Sequence, residues 1–94
     1  MNIEIGTMSD LPDDVLAALE AVKLWAAKQR AYSSAANAAY LYARELPVAI
    51  ADYGTRGAKT QLLYVAANLG TWRGDEARKA KATINLFINS MEKM

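Results

Sequence analysis

Ala31-Tyr-Ser-Ser-Ala-Ala-Asn-Ala-Ala-Tyr-Leu-Tyr-Ala43 is the stretch on which the reading of this chain turns. Helix formers dominate it, and the small side chains of Ala31, Ala35, Ala38 and Ala39 let another helix approach closely. Upstream, Val15, Leu16, Leu19, Val22 and Ala26 recur at intervals of three and four residues, and neither Gly nor Pro interrupts the chain between Asp13 and Leu46. The spacing predicts one long helix of about nine turns. Its start is marked by Asp10-Leu11-Pro12-Asp13, with Asp10 as N-cap, Pro12 in the first turn, and Asp13 and Asp14 facing the positive end of the helix dipole. Pro47 removes the N–H that would bond back to residue 43 and disfavours helix at Leu46. The helix therefore kinks or breaks there and resumes through Val48, Ile50 and Tyr53.

Further along, Gly54-Thr-Arg-Gly57 is the clearest loop and reverses the chain. A shorter helix follows from Lys59 to Leu69, with Leu62, Val65, Ala66 and Leu69 on one face, Tyr64 and Asn68 on the other, and Gly70 as its stop. Thr71-Trp72-Arg73-Gly74 makes a tight corner, and Asp75-Glu76 open a last helix whose inner stripe is Ala77, Ala80, Ile84, Phe87, Ile88 and Met91. The fold expected is all-α: a small helical bundle of three to four helices, with one long central helix followed by a helical hairpin. Residues 1–9 lack helical period and read as an N-terminal arm, extended through Ile3 and Ile5 and ordered only where something receives it, such as a neighbouring subunit. Residues 10–94 form a single helical domain, since a chain of 94 residues closes one core and not two.

Apolar residues make up 53% of the chain, but many are alanine, which buries little area. A lone subunit with so thin a core is expected to complete it as a homo-oligomer. There is no cysteine and no histidine. Disulfides, thiolate metal sites and cysteine nucleophiles are excluded together, and so are histidine-based triads, zinc hydrolases and imidazole bases. The adjacent acids Asp13/Asp14 and Asp75/Glu76 sit at helix starts, where capping explains them. We expect no enzyme, metal or cofactor. The longest uncharged stretches, Ala31 to Ala43 and Thr60 to Trp72, are too short to cross a bilayer, and Met1 to Met8 lacks the pattern of a secretory signal, so a cytoplasmic protein is expected.

Two constellations stand out as binding sites. The corner Gly70-Thr-Trp-Arg-Gly74 with Arg78, Lys79 and Lys81 places basic side chains early in a helix, where the macrodipole disfavours them. A phosphate there would meet Arg73, Arg78 and Lys81 with Trp72 as a stacking face; the competing reading is a structural corner with a buried Trp72 and surface ion pairs to Asp75 and Glu76. The second set is Trp25, Lys28, Tyr32, Tyr40, Tyr42 and Arg44 on the long helix. Trp25 and Tyr32 share a face with Lys28 between them and would anchor a partner or stack a planar ligand, or else fill gaps that alanine leaves in the packing. Basic residues spread over three helices on a nearly neutral chain do not point to nucleic acid.

From Leu62-Leu-Tyr-Val-Ala-Ala-Asn-Leu-Gly-Thr-Trp-Arg-Gly-Asp-Glu-Ala-Arg78 on to Phe87, about a quarter of the chain, the sequence resembles small all-α accessory proteins encoded by tailed bacteriophages. The resemblance implies a protein of the host cytoplasm, from a class that includes inhibitors of bacterial defence. These act by docking on a host protein or by sequestering a nucleotide signal. No motif in that group marks a site. The function expected is thus a non-enzymatic binding protein that modulates a host protein through an oligomeric helical surface; the alternative is a binder of a phosphorylated, nucleotide-like small molecule in a basic and aromatic site at a subunit interface.

Overall fold

The computed structural model describes residues 4–92. Every regular element in it is helical: a 3-10 turn at Met8–Asp10, then α1 (Asp13–Gln29), α2 (Ser34–Arg44), α3 (Leu46–Ala67) and α4 (Asp75–Glu92). Helix α1 packs against α2 and α4, α2 against α3, and α3 against α4, so the four close a ring around one core.

The apolar stripes of α1 and α4 fold inward as their spacing requires. Val15, Leu19, Val22 and Ala26 of α1 are buried, with Leu16 packed partly against them. On α4, Ala77, Ala80, Ile84, Phe87, Ile88 and Met91 are all buried. Each fully buried Leu, Ile or Phe side chain contributes about 1.5–3 kcal/mol relative to exposure. The core is one continuous cluster from Ile5 to Met91, and no polar or charged residue among those described is buried in it. The subunit is better cored than its alanine content suggests, because Leu46, Ile50, Leu62, Leu69 and Ile84 fill the centre while Ala36, Ala39 and Ala43 let α2 lie close.

The expected long helix does not run unbroken. It stops at Gln29 and restarts at Ser34, so that two shorter helices pack on each other. The cause is local. Ser33 adopts an extended conformation (φ −142°, ψ 121°) and its hydroxyl accepts the Ala36 N–H at 3.2 Å, a competition that serine offers to continuous helix. On the other side of the turn the Gln29 carbonyl accepts both the Tyr32 N–H (2.9 Å) and the Ser33 N–H (3.0 Å). At Pro47 the expected short break is present: α2 ends at Arg44, Glu45 intervenes, and Pro47 sits in the first turn of α3, where a missing N–H leaves nothing unsatisfied.

The Gly54-Thr-Arg-Gly57 segment is not an open loop. Helix runs up to Gly54 and on from it, and the bend is concentrated at Gly54, whose non-helical φ of 62° and ψ of −136° divide α3 into two arms. Gly57 then lies so close to the first arm that a Cβ would collide with the Ala49 carbonyl. The second arm ends at Ala67, before the expected stop at Gly70, and the Asn68 side chain donates to the Tyr64 carbonyl at 2.8 Å.

Two expectations at the N-terminus change. Asp10 does not cap α1; its carboxylate turns back to accept the Gly6 and Thr7 N–H groups at 2.8 and 3.0 Å, and Pro12 occupies the position before α1. The described part of the arm docks on its own chain rather than waiting for a neighbour: Ile5 is buried and its N–H donates to Thr55 Oγ1 at 2.9 Å. Ile3 lies outside the described residues.

Candidate functional site

One member of each constellation read from the sequence, Trp25 and Trp72, meets the other at one end of the bundle. Trp25, late in α1, stacks on Trp72 of the corner before α4, with ring centroids 5.3 Å apart and planes inclined by 17°. Trp72 is buried, and its ring is covered by Trp25 and the core. Trp25 is half-buried, and together with Gln29, Tyr32, Ser33, Ser34, Ala35 and Thr71 it lines a broad, shallow cleft at the α1–α2 turn. Tyr32 stands at the tip of that turn with 86% of its surface exposed.

Two of the basic residues of the corner, Arg78 and Lys81, have structural partners. Arg78 pairs with Asp75 one turn away, and Lys81 Nζ donates to the Trp72 carbonyl at 2.5 Å, tying α4 to the corner. The start of α4 is set by Gly74, whose φ of 107° suits glycine and whose carbonyl accepts the Arg78 N–H. Arg73 and Lys28 are exposed and make no ion pair among the described residues. A nucleobase therefore has no free face of Trp72 to stack on, and of Arg73, Arg78 and Lys81 only Arg73 has an uncommitted head group.

The aromatic set on α1 and α2 separates into three places. Trp25 and Tyr32 lie at the turn; Tyr42 packs against Tyr64 of α3 with centroids 5.1 Å apart, under a Gln61 side chain that donates to the Tyr42 carbonyl at 3.0 Å. Tyr40 instead carries two guanidinium groups, with the Cζ of Arg30 4.1 Å and that of Arg44 5.9 Å from its ring centre. Each such contact is worth about 0.5–1 kcal/mol at an exposed site. Arg30 is further fixed by its Nε, which donates to Asn37 Oδ1 at 3.1 Å.

Sequence reasoning missed Arg30 altogether. Ten residues apart on an unbroken helix, Arg30 and Tyr40 would face different directions; the turn at residues 30–33 is what brings them together. The available signal was the serine pair Ser33-Ser34, whose capping tendency marks a helix start.

The carboxyl of Asp10 has a displaced pKa. The N–H groups of Gly6 and Thr7 hold its carboxyl below the ordinary aspartate value, which outweighs a small opposing effect of desolvation. Among the described residues no three His, Cys, Asp or Glu side chains converge as metal ligands, no buried side-chain polar atom lacks a hydrogen-bond partner, and no helix is long and apolar enough to cross a membrane. With the geometry in view, the comparisons add nothing to it: no family model, curated protein or solved structure matches this chain.

Proposed function

We propose that this chain is a non-enzymatic binding protein that docks on a partner protein through the end of the bundle where α1 turns into α2. The observation that carries this reading is Tyr32: a large aromatic side chain, 86% exposed, on a short turn pinned by the Gln29 carbonyl and the Ser33 cap. A tyrosine on a rigid support offers wide contact area and a polar tip, and it loses little conformational entropy on binding. Half-buried Trp25 beside it supplies a second anchor of the type that dominates interface energies.

The narrower reading, a phage-encoded inhibitor of a host defence protein acting in the host cytoplasm, rests on the resemblance carried by Leu62 to Phe87. Self-association is part of the same proposal. Ala36, Ala39 and Ala43 are occupied by the chain's own core, so a seam between copies draws on other surfaces, of which Leu24 and Leu86, 63% and 70% exposed, are the most apolar.

Affinity capture with paired variants tests the docking end. Tyr32→Ala is expected to lose a partner that wild type and Arg73→Ala both retain, with unchanged circular dichroism. Retention of that partner by Tyr32→Ala would remove the α1–α2 end from consideration. Native mass spectrometry of the purified chain reports the subunit count, and a strict monomer at micromolar concentration would remove the self-association.

A further inference from the structure

We propose that Arg30 and Arg44, held on the ring of Tyr40, form a binding site for a phosphate monoester. Two guanidinium groups at 4.1 and 5.9 Å from one ring centre bring two positive charges to a single aromatic side chain. Helix ends explain a cation at each position taken alone, since Arg30 follows the last turn of α1 and Arg44 lies in the last turn of α2. The i, i+4 spacing sets Arg44 beside Tyr40 on α2, whereas Arg30 reaches the same ring from beyond the turn, against like-charge repulsion.

Local carboxylates balance the pair only in part, at Arg44. Between Glu20 and Glu45 the chain carries Lys23, Lys28, Arg30 and Arg44 and no acid. Lys23 is taken by Glu20 at 2.8 Å, Glu45 reaches Arg44 only at 3.8 Å, and among the described residues no acid pairs with Arg30.

The geometry of Arg30 is that of a prepared receptor. Its Nε is engaged by Asn37 and its plane rests over Tyr40, so the side chain is already restricted while both terminal nitrogens have no partner among the described residues. A guanidinium fork of this kind binds two oxygens of an oxyanion side by side. A carboxylate carries one charge and two oxygens, both of which a single fork uses. A phosphate monoester carries close to two negative charges and three terminal oxygens, enough for both. The site is separate from the docking end defined by Tyr32, and it does not use Arg73, Arg78 or Lys81.

Arginine Nε–Hε NMR signals of the intact chain test the site, titrated with inorganic phosphate, adenosine monophosphate and a phosphoserine peptide against chloride at matched ionic strength. The Arg30 and Arg44 signals are expected to shift saturably with phosphate, while Arg56 and Arg73 follow the chloride control. Arg30→Lys keeps the charge but not the fork, and is expected to weaken phosphate binding by about tenfold with an unchanged backbone spectrum. Tyr40→Leu, which removes the ring, is expected to weaken it as well, whereas Tyr32→Ala is not. Equal binding of all three probes supports recognition of the phosphate group itself; tighter nucleotide binding supports a free nucleotide as its source, and tighter peptide binding a phosphorylated partner. Shifts at Arg30 no larger than at Arg73, or undiminished binding by Arg30→Lys, would overturn the proposal.

Discussion

The indole of Trp25 lies against that of Trp72, 5.3 Å between centroids and 17° from parallel, joining the end of α1 to the corner that precedes α4. Trp72 is the buried partner at 6% exposure, so Trp72→Ala is expected to lower stability by about 3–5 kcal/mol. Trp25→Ala, at a half-buried position, should cost about 1–3 kcal/mol. In a double-mutant cycle by urea unfolding the two should couple by about 0.5–1.5 kcal/mol; strict additivity would mean that the stacking contributes nothing beyond burial.

The bend in α3 makes different demands on its two glycines, and a third glycine serves as control. Gly57→Ala forces a Cβ into the Ala49 carbonyl, which is backbone and has nowhere to move, so a loss of about 3 kcal/mol or more is expected. Gly54→Ala meets the Ile5 carbonyl only at ordinary contact distance, 3.5 Å, but holds φ at 62°, for an expected loss of about 1–3 kcal/mol. Gly70→Ala has open space around it and should change stability by less than about 0.5 kcal/mol. Thermal melts of the three variants give the ranking, and a Gly70→Ala as damaging as Gly57→Ala would refute the packing argument.

Removing the cap that separates α1 from α2 tests why the long helix is broken. Ser33→Ala deletes the acceptor for the Ala36 N–H and is expected to lower stability by about 1 kcal/mol. Ser34→Ala, one residue inside α2 and without a side-chain bond to the backbone among the described residues, should be nearly neutral. Equal effects at both serines would shift the cause of the break elsewhere.

Asp10 gives the N-terminal segment an acid dependence. Because its folded pKa is lowered by the Gly6 and Thr7 N–H groups, its contribution is fully present above the ordinary aspartate value. It is lost as pH falls through the lower folded value, when the protonated carboxyl ceases to be a strong acceptor. Hydrogen exchange at Gly6 and Thr7, corrected for intrinsic pH effects, should therefore show protection falling across that acidic window in wild type. In Asp10→Asn the protection should be low and without that step; a wild-type-like step in the variant would assign the effect to another group.

Helix type and inward face were legible wherever a stripe of branched or aromatic residues kept a steady period. Every residue read as the inner stripe of α4 is buried, and so are Leu62, Val65 and Leu69 of the face read before it, with Ala66 half-buried. The alanine-rich centre misled because alanine favours helix on every face and carries no signal of where helix should stop. There the helix stops at a turn closed by the Gln29 carbonyl and the Ser33 hydroxyl. The corner residues Trp72, Arg78 and Lys81 were visible as a group, but their partners were not: the stacking of Trp25 on Trp72 and the reach of Lys81 to a carbonyl depend on how α1 and α4 meet in space. Arg30 was hidden for the same reason as the turn beside it.

Ile5, seated in the core with its N–H on Thr55 Oγ1, also bears on the order in which the molecule is assembled. During synthesis Ile5 emerges fifty residues before Thr55, whose hydroxyl receives its N–H. The helices α1 and α2 are made in that interval and can pack as a local hairpin, a contact between sequence neighbours that forms readily. Docking of the N-terminal segment then has to await the two arms of α3, which makes it a long-range step that follows the pairing of α1 with α2 rather than a seed for folding.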